Sequence, residues 1–353
     1  MDTKGYTTTI GLEIHAHLKT KTKMFSRAAN NPDETRPNQN ISPVDTAQPG
    51  TLPVINKKAV EHMVNIGLAV GGEIAHFTEF DRKNYFYPDI PKGYQISQYK
   101  YPIVSGGHLA GFDLERIHLE EDTATSKHFD DYTLVDFNRA GAPLMELVTK
   151  PVLHSAEDVI MFARELQLLL RYLGAGDANI EKGQMRVEVN LSVSKTDELG
   201  TKVEVKNIGS IASAGKAVEY EVARQIAALE IGETLVQETR GWDEQSQSTF
   251  SQRSKENAKD YRYFPEPDLP KLYLHDIFDL EKMKSTQQAT FDKLKQKQKP
   301  SGGFAWFDGS DENEYITRHI LAGLGHLAKL NTDDATIEKI VEKMCHNPAI
   351  IFK

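Results

Sequence analysis

Hydrophobic and polar residues alternate along several stretches of the first two hundred residues, and this period of two predicts β-strands. In residues 10–18, isoleucine, leucine and alanine take one face, while Glu13, His15 and His17 take the other. The same alternation recurs in residues 116–122, 185–193 and 202–206. Such a pattern is typical of a largely antiparallel sheet with one covered face. We therefore expect an α+β fold whose open sheet face carries Glu, His, Arg and Lys.

Three other segments repeat their hydrophobic residues with the period of a helix. They are residues 56–70, 155–173 and 213–231, and a glycine follows each of them. Ser155 and Asp158 give the second segment a capping-box-like start. Further along, the composition predicts a charged helix over residues 275–299, a linker at 300–303 and short helices over 313–330 and 333–346.

Glu146 is a carboxylate in a strand, residues 143–149, that is otherwise apolar on both faces. A buried carboxylate must be paired, protonated or bound to a metal. One interpretation is an ion pair with Arg139. The other is metal ligation together with Glu13, His15 and Glu120, where alternation favours Glu120 over the neighbouring Glu121. Hard oxygen ligands favour Mg²⁺, and an imidazole among them also suits Mn²⁺.

Residues 80–98 combine basic and aromatic side chains in an unusual density. They include Arg82, Lys83, Tyr85, Lys92 and Tyr94, and the segment is interrupted by prolines 88 and 91 and glycine 93. These interruptions exclude a regular helix or a central strand and predict a structured loop. Such a loop suits an anionic, planar ligand such as a nucleotide or an RNA end. The alternative is a loop of aromatic anchors with snorkelling basic residues.

Length and composition limit the possible domain number, cofactors and cellular compartment of the protein. Its 353 residues suffice for two domains, or for one large domain with an appendage. No apolar run approaches the roughly 20 residues of a membrane span, and the N-terminus lacks the apolar core of a signal peptide. The single cysteine, Cys345, excludes an intramolecular disulfide and a cysteine-based zinc site. We expect a cytoplasmic protein, although a net charge of −9 requires segregated basic residues if it binds nucleic acid.

The chain has no Walker loop, no dinucleotide fingerprint and no nucleophile elbow. If it uses ATP, the cradle must consist of metal ions and basic side chains on a sheet face. The candidates for this role are Arg82, Lys83, Arg139, Arg186, Lys206, Arg253 and Arg262.

An ordered set of motifs resembles the GatB/GatE family, which supplies the B subunits of the aspartyl/glutamyl-tRNA amidotransferases. The set spans roughly residues 7–272 and includes Ile-Gly-Leu-Glu-Ile-His at 10–15, Arg-Ile-His-Leu-Glu-Glu-Asp at 116–122 and Leu-Val-Asp-Phe-Asn-Arg-Ala-Gly at 134–141. Lys-Asn at 206–207, Gln-Glu-Thr-Arg at 237–240, the aromatic-basic segment and Asp-Tyr-Arg-Tyr-Phe-Pro-Glu-Pro-Asp-Leu-Pro at 260–270 complete it.

The resemblance implies a catalytic cradle over residues 1–274, related to the glutamine synthetase and guanidino kinase folds, followed by a divergent helical region over 275–353. It also implies an ATP-dependent ligase that phosphorylates the side-chain carboxylate of Glu-tRNA(Gln) or Asp-tRNA(Asn) and amidates it. The implied partners are a GatA-like amidase subunit that supplies ammonia, a GatC-like small subunit and the misacylated tRNA, in a heterotrimer. The catalytic residues would be Glu13, Glu120 and Glu146.

The same resemblance implies a divalent ion at Glu13, His15, Glu120 and Glu146. Contacts to ATP and substrate are expected from Arg82, Lys83, Tyr85, Lys92, Tyr94, Arg139, Arg186, Lys206 and Arg262. Many family members also carry a zinc site, but its four positions are Ser26, Ala28, Ser42 and Asp45 here, so we expect no zinc.

Two other functions stay open at this point. The chain could be a non-catalytic tRNA-binding scaffold of the same complex, or a stand-alone ligase for a small amino acid. Because the resemblance fades beyond about Leu274, we expect a shortened or divergent C-terminal part with altered tRNA recognition.

Overall fold

The structure is a computed structural model that describes residues 4–254 and 261–300, together with 304, 317, 320, 321 and 339–342. Its helices are α1 (Lys57–Ala69), α2 (Ala156–Tyr172), α3 (Ile211–Glu230), α4 (Leu274–Ile277) and α5 (Leu280–Lys297). Its strands are β1 (Thr7–His17), β2 (Glu73–Ile74), β3 (Phe77–Thr78), β4 (Asp81–Asn84), β5 (Tyr94–Ser97), β6 (Val104–Ser105), β7 (His108–Leu109), β8 (Phe112–Glu121), β9 (Thr125–His128), β10 (Thr133–Asp136), β11 (Pro143–Thr149), β12 (Met185–Ser194), β13 (Val203–Lys206), β14 (Glu238–Asp243), β15 (Ser248–Ser254), β16 (Arg262–Pro265) and β17 (Leu272–Tyr273).

The main sheet has the strand order β15-β14-β13-β12-β1-β11-β8-β6-β2, and β7 also pairs with β8. Every pairing in it is antiparallel except the parallel pair of β13 and β14. Helices α1, α2 and α3 pack against one face of this sheet and bury its apolar side chains. The prediction of an α+β fold with a mostly antiparallel sheet and one covered face is thus confirmed.

The three helices predicted in the first 231 residues are confirmed, with small shifts at their ends. Helix α2 begins with a capping box in which Ser155 Oγ accepts from the Asp158 amide and Asp158 accepts from the Ser155 amide. Helix α3 begins two residues earlier than predicted, because Ser210 rather than a later residue caps it. Asn56 caps α1 through its side-chain oxygen.

The charged helix predicted over residues 275–299 is present as the short α4 and the longer α5. Leu274 and Phe278 lie in the main hydrophobic core, and Leu280 and Met283 pack against it. The division of the chain near residue 274 stays a prediction. The helices predicted over 313–330 and 333–346, and Cys345, lie largely outside the described residues.

The aromatic-basic segment 80–98 is a strand–loop–strand unit, so the prediction of a loop throughout is wrong at its two ends. Strands β4 and β5 pair with each other, and β4 also pairs with β16 in a small three-stranded sheet. The prolines and the glycine lie in the connecting loop, residues 85–93. They therefore do not interrupt the hydrogen bonds between β4 and β5. Elsewhere, no helix within the described ranges combines the length and the apolar character that crossing a bilayer requires.

Candidate active site

The register of the four central strands brings four polar side chains into one row on the open face. His15 of β1 lies opposite Glu146 of β11 on one side and Arg186 of β12 on the other. Glu146 in turn lies opposite His118 of β8. Two imidazoles therefore flank the Glu146 carboxylate at the centre of the sheet.

The neighbouring rows complete this cluster. Glu13 and Arg116 lie in the row on one side, and His17 and Glu120 lie in the row on the other. His15 Nε2 is 3.3 Å from Glu146 Oε2, 3.8 Å from Glu120 Oε1 and 3.9 Å from Glu13 Oε1. The three predicted carboxylate ligands therefore lie around the imidazole of the fourth, His15, on the open face.

His118 is a member of the cluster that the predicted ligand set omitted. Its Nε2 is 3.3 Å from Glu146 Oε2 and 3.9 Å from Glu120 Oε2. Alternation had already placed it on the same face as Glu120, but only the register with β11 shows that it lies opposite Glu146. Alternation also distinguished the two glutamates correctly, because Glu121 points away and pairs with Lys92.

The alternative interpretation, an ion pair between Glu146 and Arg139, is wrong about the arginine. The guanidinium near Glu146 is that of Arg116, at 3.7 Å, whereas Arg139 lies 3.4 Å from Asp122. Arg139 also donates to the carbonyl oxygens of Thr123 and Ala124, at 2.9 Å each. Chain geometry explains the difference, since the turn before β11 directs Arg139 toward the end of β8.

Burial and mutual contact shift the pKa values of the cluster. Burial, with the nearby Glu146 and Glu188 carboxylates, raises the pKa of Glu13 to about 7. Burial alone would lower the pKa of His15, but its hydrogen bond and charge interaction with Glu146 raise it to about 9. For Glu146, burial alone would raise the pKa, but contacts with His118 and His15 hold it well below its usual range. Glu146 is therefore a stable carboxylate at neutral pH.

This donor set fits a hard divalent ion. Carboxylate oxygens suit Mg²⁺, and imidazole nitrogens beside them suit Mn²⁺ as well. Glu120 is held in place by Ser97 Oγ, which donates to its Oε2 at 2.9 Å. His118, Glu120 and Glu146 are all buried, so the charges have little solvent to screen them.

A second charged group lies beside the cluster and is centred on the buried Asp122. Its Oδ2 is 2.7 Å from His17 Nε2 and 3.2 Å from Arg186 Nη1. Arg139 approaches the same oxygen. Of the predicted phosphate-binding residues, Arg186 and Arg139 are thus positioned together by one carboxylate.

The other predicted binding residues differ in how far their charges are already neutralised. Arg82 donates to both oxygens of Glu266, at 2.7 and 2.9 Å, and stacks on Tyr94 at 4.2 Å. The Lys92 ammonium pairs with the buried Glu121. Arg82 and Lys92 therefore anchor the hairpin, as the alternative interpretation of this segment stated.

Lys83 is different, because its ammonium lies 4.9 Å over the Tyr261 ring and forms no ion pair of 4.0 Å or shorter within the described part of the chain. Burial alone would lower the pKa of Lys83, but the Glu120 and Glu146 carboxylates hold it above its usual value. Burial and the Glu120 charge also raise the pKa of Tyr85. The ionisation of both side chains is thus influenced by the Glu120 carboxylate.

Lys206 and Arg262 lie on different sheets, on β13 of the main sheet and on β16 of the small sheet. Lys206 Nζ is 2.7 Å from Glu188 and 3.3 Å from Glu204. Arg262 is exposed on β16. The side chain of Arg253 lies outside the described residues.

The four positions of the family's zinc site gather around one carboxylate. Asp45 Oδ2 accepts from the Ser42 amide at 2.9 Å, from Ser26 Oγ at 3.1 Å and from Lys23 Nζ at 3.3 Å. Ala28 joins through its amide, which donates to Ser26 Oγ. Hydrogen bonds and an ion pair thus connect this part of the chain.

A cavity of about 780 Å³ opens at His17, near the end of β1. Its wall also includes Lys19, Lys21, Asn30 and Lys58. Its volume lies within the range of about 300–1,000 Å³ that is common for small-molecule sites. The cavity therefore lies at the His17 end of β1, and its lining does not include Glu13, Glu120 or Glu146.

Comparison with known proteins gives a consistent family assignment. Residues 8–278 match the GatB/GatE catalytic domain. The B subunit of the aspartyl/glutamyl-tRNA(Asn/Gln) amidotransferase of Bdellovibrio bacteriovorus is 46% identical over 294 residues, covering 80% of this chain and 61% of that protein. The B subunit of the same enzyme from Thermodesulfovibrio yellowstonii is 47% identical over 290 residues, with 79% and 61% covered.

A third relative aligns over a longer part of the chain. The corresponding B subunit of a Picosynechococcus species is 41% identical over 347 residues, covering 90% of this chain and 70% of that protein. The chain thus spans about three fifths to seven tenths of the length of these curated relatives. By domain match and by identity over most of its length, the chain belongs to the GatB/GatE family.

Proposed function

We propose that this chain is the carboxylate-activating subunit of a glutamine-dependent Asp/Glu-tRNA amidotransferase, a ligase that forms a carbon–nitrogen bond. The observation that carries the proposal is the convergence of Glu13, His15, Glu120 and Glu146 on the open sheet face. Family membership and the names of the relatives support it. The relationship to glutamine synthetase and guanidino kinase cradles is part of the same proposal.

The proposed reaction has two steps. A side-chain carboxylate oxygen of Glu-tRNA(Gln) or Asp-tRNA(Asn) attacks the γ-phosphorus of ATP, and ADP leaves. Ammonia then attacks the acyl phosphate carbon and loses a proton, and inorganic phosphate leaves with formation of the amide. A GatA-like amidase subunit would supply the ammonia from glutamine, and a GatC-like small subunit would complete the heterotrimer.

Glu13, His15, Glu120 and Glu146 would hold Mg²⁺, or Mn²⁺, which supplies neutralisation of phosphate charge. The surrounding side chains position the reactants. Lys83 interacts electrostatically with Glu120 and Glu146, and Arg186 and Arg139 are oriented by Asp122. These three cations would contact phosphate oxygens, since phosphoryl transfer depends mainly on positioning and on charge stabilisation.

The remaining predicted contacts form a frame around this centre. Tyr85 lies near Glu120, while Arg82, Lys92 and Tyr94 hold the hairpin that presents Lys83. Lys206 on β13 and Arg262 on β16 would contact the acceptor end of a tRNA.

The test is ATP hydrolysis by the chain copurified with its amidase and small subunits, with and without Glu-tRNA(Gln). We expect stimulation that requires both Mg²⁺ and glutamylated tRNA. Glu146→Gln should abolish it, because an amide cannot supply the charge that the cluster needs. Glu115→Gln is the matched control, since Glu115 lies exposed on the same sheet, in β8.

Two results would contradict the proposal. Unchanged amidation by Glu146→Gln would refute the assignment of the cluster. Tight tRNA binding without any tRNA-stimulated hydrolysis in the unsubstituted complex would instead indicate a non-catalytic scaffold.

A further inference from the structure

The ammonium of Lys23 lies in a buried contact between segments that are far apart in the sequence. Lys23 is 1% exposed and is among the largest fully buried side chains of the described residues. Its Nζ donates to Asp45 Oδ2 and to the Phe137 carbonyl oxygen, at 3.3 Å each. Because lysine is rarely buried to this degree unless it is paired, these two acceptors define its place in the fold.

The Phe137 carbonyl oxygen also closes the turn that carries Arg139. It accepts from the Ala140 amide at 3.1 Å, and this i to i+3 hydrogen bond makes Arg139 the third residue of a β-turn. From this turn, the Arg139 guanidinium donates to the carbonyl oxygens of Thr123 and Ala124. One carbonyl oxygen thus connects the buried ammonium to the backbone of an arginine that we propose contacts phosphate.

The same buried group contacts the chain on the other side of Arg139. The Met24 amide donates to the Gly141 carbonyl oxygen at 2.8 Å. Gly141 has a φ of +81°, and a Cβ at this position would lie 2.8 Å from Asp45 Oδ1. The backbone is therefore fixed two residues before and two residues after Arg139.

The segment 38–40 contacts the turn from its more exposed side. Asn138 Oδ1 accepts from the Gln39 and Asn40 amides at 2.7 and 2.8 Å, and Asn38 Oδ1 accepts from the Phe137 amide at 2.8 Å. These hydrogen bonds do not involve Lys23. Loss of the ammonium should therefore displace the turn without unfolding it.

The energetics of the buried ion pair favour a positioning role over a stabilising one. The side chains of Lys23 and Asp45 are 0% and 2% exposed. Removing two charges from water is costly, and apolar side chains of similar volume often stabilise a fold equally well. Burial accordingly lowers the pKa of Lys23, although Asp45 opposes this shift. What an apolar side chain cannot supply is a hydrogen-bond donor to the Phe137 carbonyl oxygen.

We propose that Lys23 is a positioning residue for the reaction and acts through Arg139. Its ammonium fixes the turn over residues 137–140, so that the Arg139 guanidinium keeps one place beside Asp122. This guanidinium is 33% exposed, which leaves surface for a phosphate oxygen. The inference rests on the proposed function and adds to it a buried residue outside the carboxylate cluster.

Hydrogen exchange of the whole chain, followed by mass spectrometry, tests the positioning. Lys23→Met keeps an unbranched side chain and removes its donors. We expect amides in the peptide over residues 136–142 to exchange at least about tenfold faster, while those of α2 are unchanged. Lys19→Met is the matched control, because Lys19 pairs with Asp177 at the surface, where the two side chains are 62% and 57% exposed.

A double-mutant cycle on the copurified complex tests whether Lys23 acts through Arg139. Lys23→Met should lower kcat of tRNA-dependent ATP hydrolysis roughly 10- to 10²-fold, as expected when a contacting group is displaced. In an Arg139→Ala background, the same substitution should change kcat by less than about twofold, because the group that Lys23 positions is absent.

The double variant Lys23→Met/Asp45→Asn separates positioning from stability. It leaves no uncompensated buried charge, so its urea midpoint should lie close to that of the unsubstituted chain. Its kcat should stay low, because the Phe137 carbonyl oxygen still lacks its donor. The same variant serves for both measurements if Lys23→Met alone fails to fold.

The outcomes separate this inference from the proposed function. Unchanged exchange over residues 136–142 would overturn the positioning, whatever the activity of the complex. Multiplicative effects of Lys23→Met and Arg139→Ala on kcat, or full activity of the double variant, would overturn the action through Arg139. If the unsubstituted complex shows no tRNA-stimulated hydrolysis, the proposed function fails and the catalytic part of the inference fails with it, even where exchange becomes faster.

Discussion

Asp122 offers a sharp test of how the site is held together. Its buried carboxylate contacts His17 at 2.7 Å, Arg186 at 3.2 Å and Arg139 at 3.4 Å. The substitution Asp122→Asn keeps the shape of the side chain and removes its charge. Two guanidinium groups then lie side by side without their shared counter-ion.

The expected cost follows from burial. Removing one partner of a buried ion pair costs about 3–5 kcal/mol, because the remaining charge stays uncompensated. The Asp122 side chain is 5% exposed, but Arg139 and Arg186 are 33% and 35% exposed. Solvent therefore screens part of the loss, and we expect the lower end, about 3 kcal/mol.

The effect should depend on pH in a defined direction. Burial alone would raise the pKa of Asp122, but Arg186, Arg139 and His17 hold it well below its usual range. A depressed folded-state pKa contributes stability above the unfolded-state value of about 3.9, and this contribution is lost as the pH falls through the folded-state value. The gap between Asp122→Asn and the unsubstituted chain should thus be full at pH 7 and shrink below about pH 4.

Urea unfolding followed by circular dichroism, from pH 7 down to pH 3, measures this gap. Asp113→Asn is the matched control, because Asp113 is 43% exposed and contacts His108 and Lys150 at 3.4 and 3.8 Å. Exposed pairs of this kind contribute about 0–1 kcal/mol. Equal effects of the two substitutions at pH 7, or a gap that widens in acid, would refute the reasoning.

The three remaining predictions concern the two hairpin lysines and a helix cap. Lys83→Met should lower tRNA-dependent ATP hydrolysis roughly 10²-fold with little loss of stability, since Lys83 interacts electrostatically with Glu120 and Glu146 and forms no close ion pair within the described residues. Lys92→Met should instead cost about 3 kcal/mol in urea unfolding, because it leaves the buried Glu121 without its counter-ion; the reverse pattern would show that the roles are exchanged. Ser155→Ala should cost about 1 kcal/mol by removing the α2 capping box, and an unchanged free energy of unfolding would contradict that assignment.

Local patterns in the sequence were enough to predict the elements and the face on which the site lies. The alternation in residues 10–18 and 116–122 placed Glu13, His15 and Glu120 on one face, because strand geometry is a local property. The capping of α2 was likewise readable from two residues. The fold class follows from the same patterns, since amphipathic strands and helices must bury their apolar faces against each other.

What the sequence could not supply is the register between strands. Whether His118 or Arg116 lies opposite Glu146 depends on a pairing between β8 and β11, and a shift of two residues would exchange them. The alternative pairing of Glu146 with Arg139 fails for the same reason, because the register of β8 and β11 brings Arg116 near Glu146 instead. Charge partners such as Lys92 and Glu121 are also set by tertiary contacts, which no local pattern reveals.

The charge of the open face explains why metal ions and nucleotide would depend on each other. Glu13, Glu120 and Glu146 form an acidic centre that would repel the phosphates of ATP, while Lys92 and Lys206 are already paired with glutamates of the chain. Divalent ions reverse the sign of the local potential and turn the carboxylates into an anchor for phosphate. In the proposed enzyme, ATP binding therefore depends on bound ions because the face is acidic. A basic face of the same shape would bind the nucleotide without positioning it.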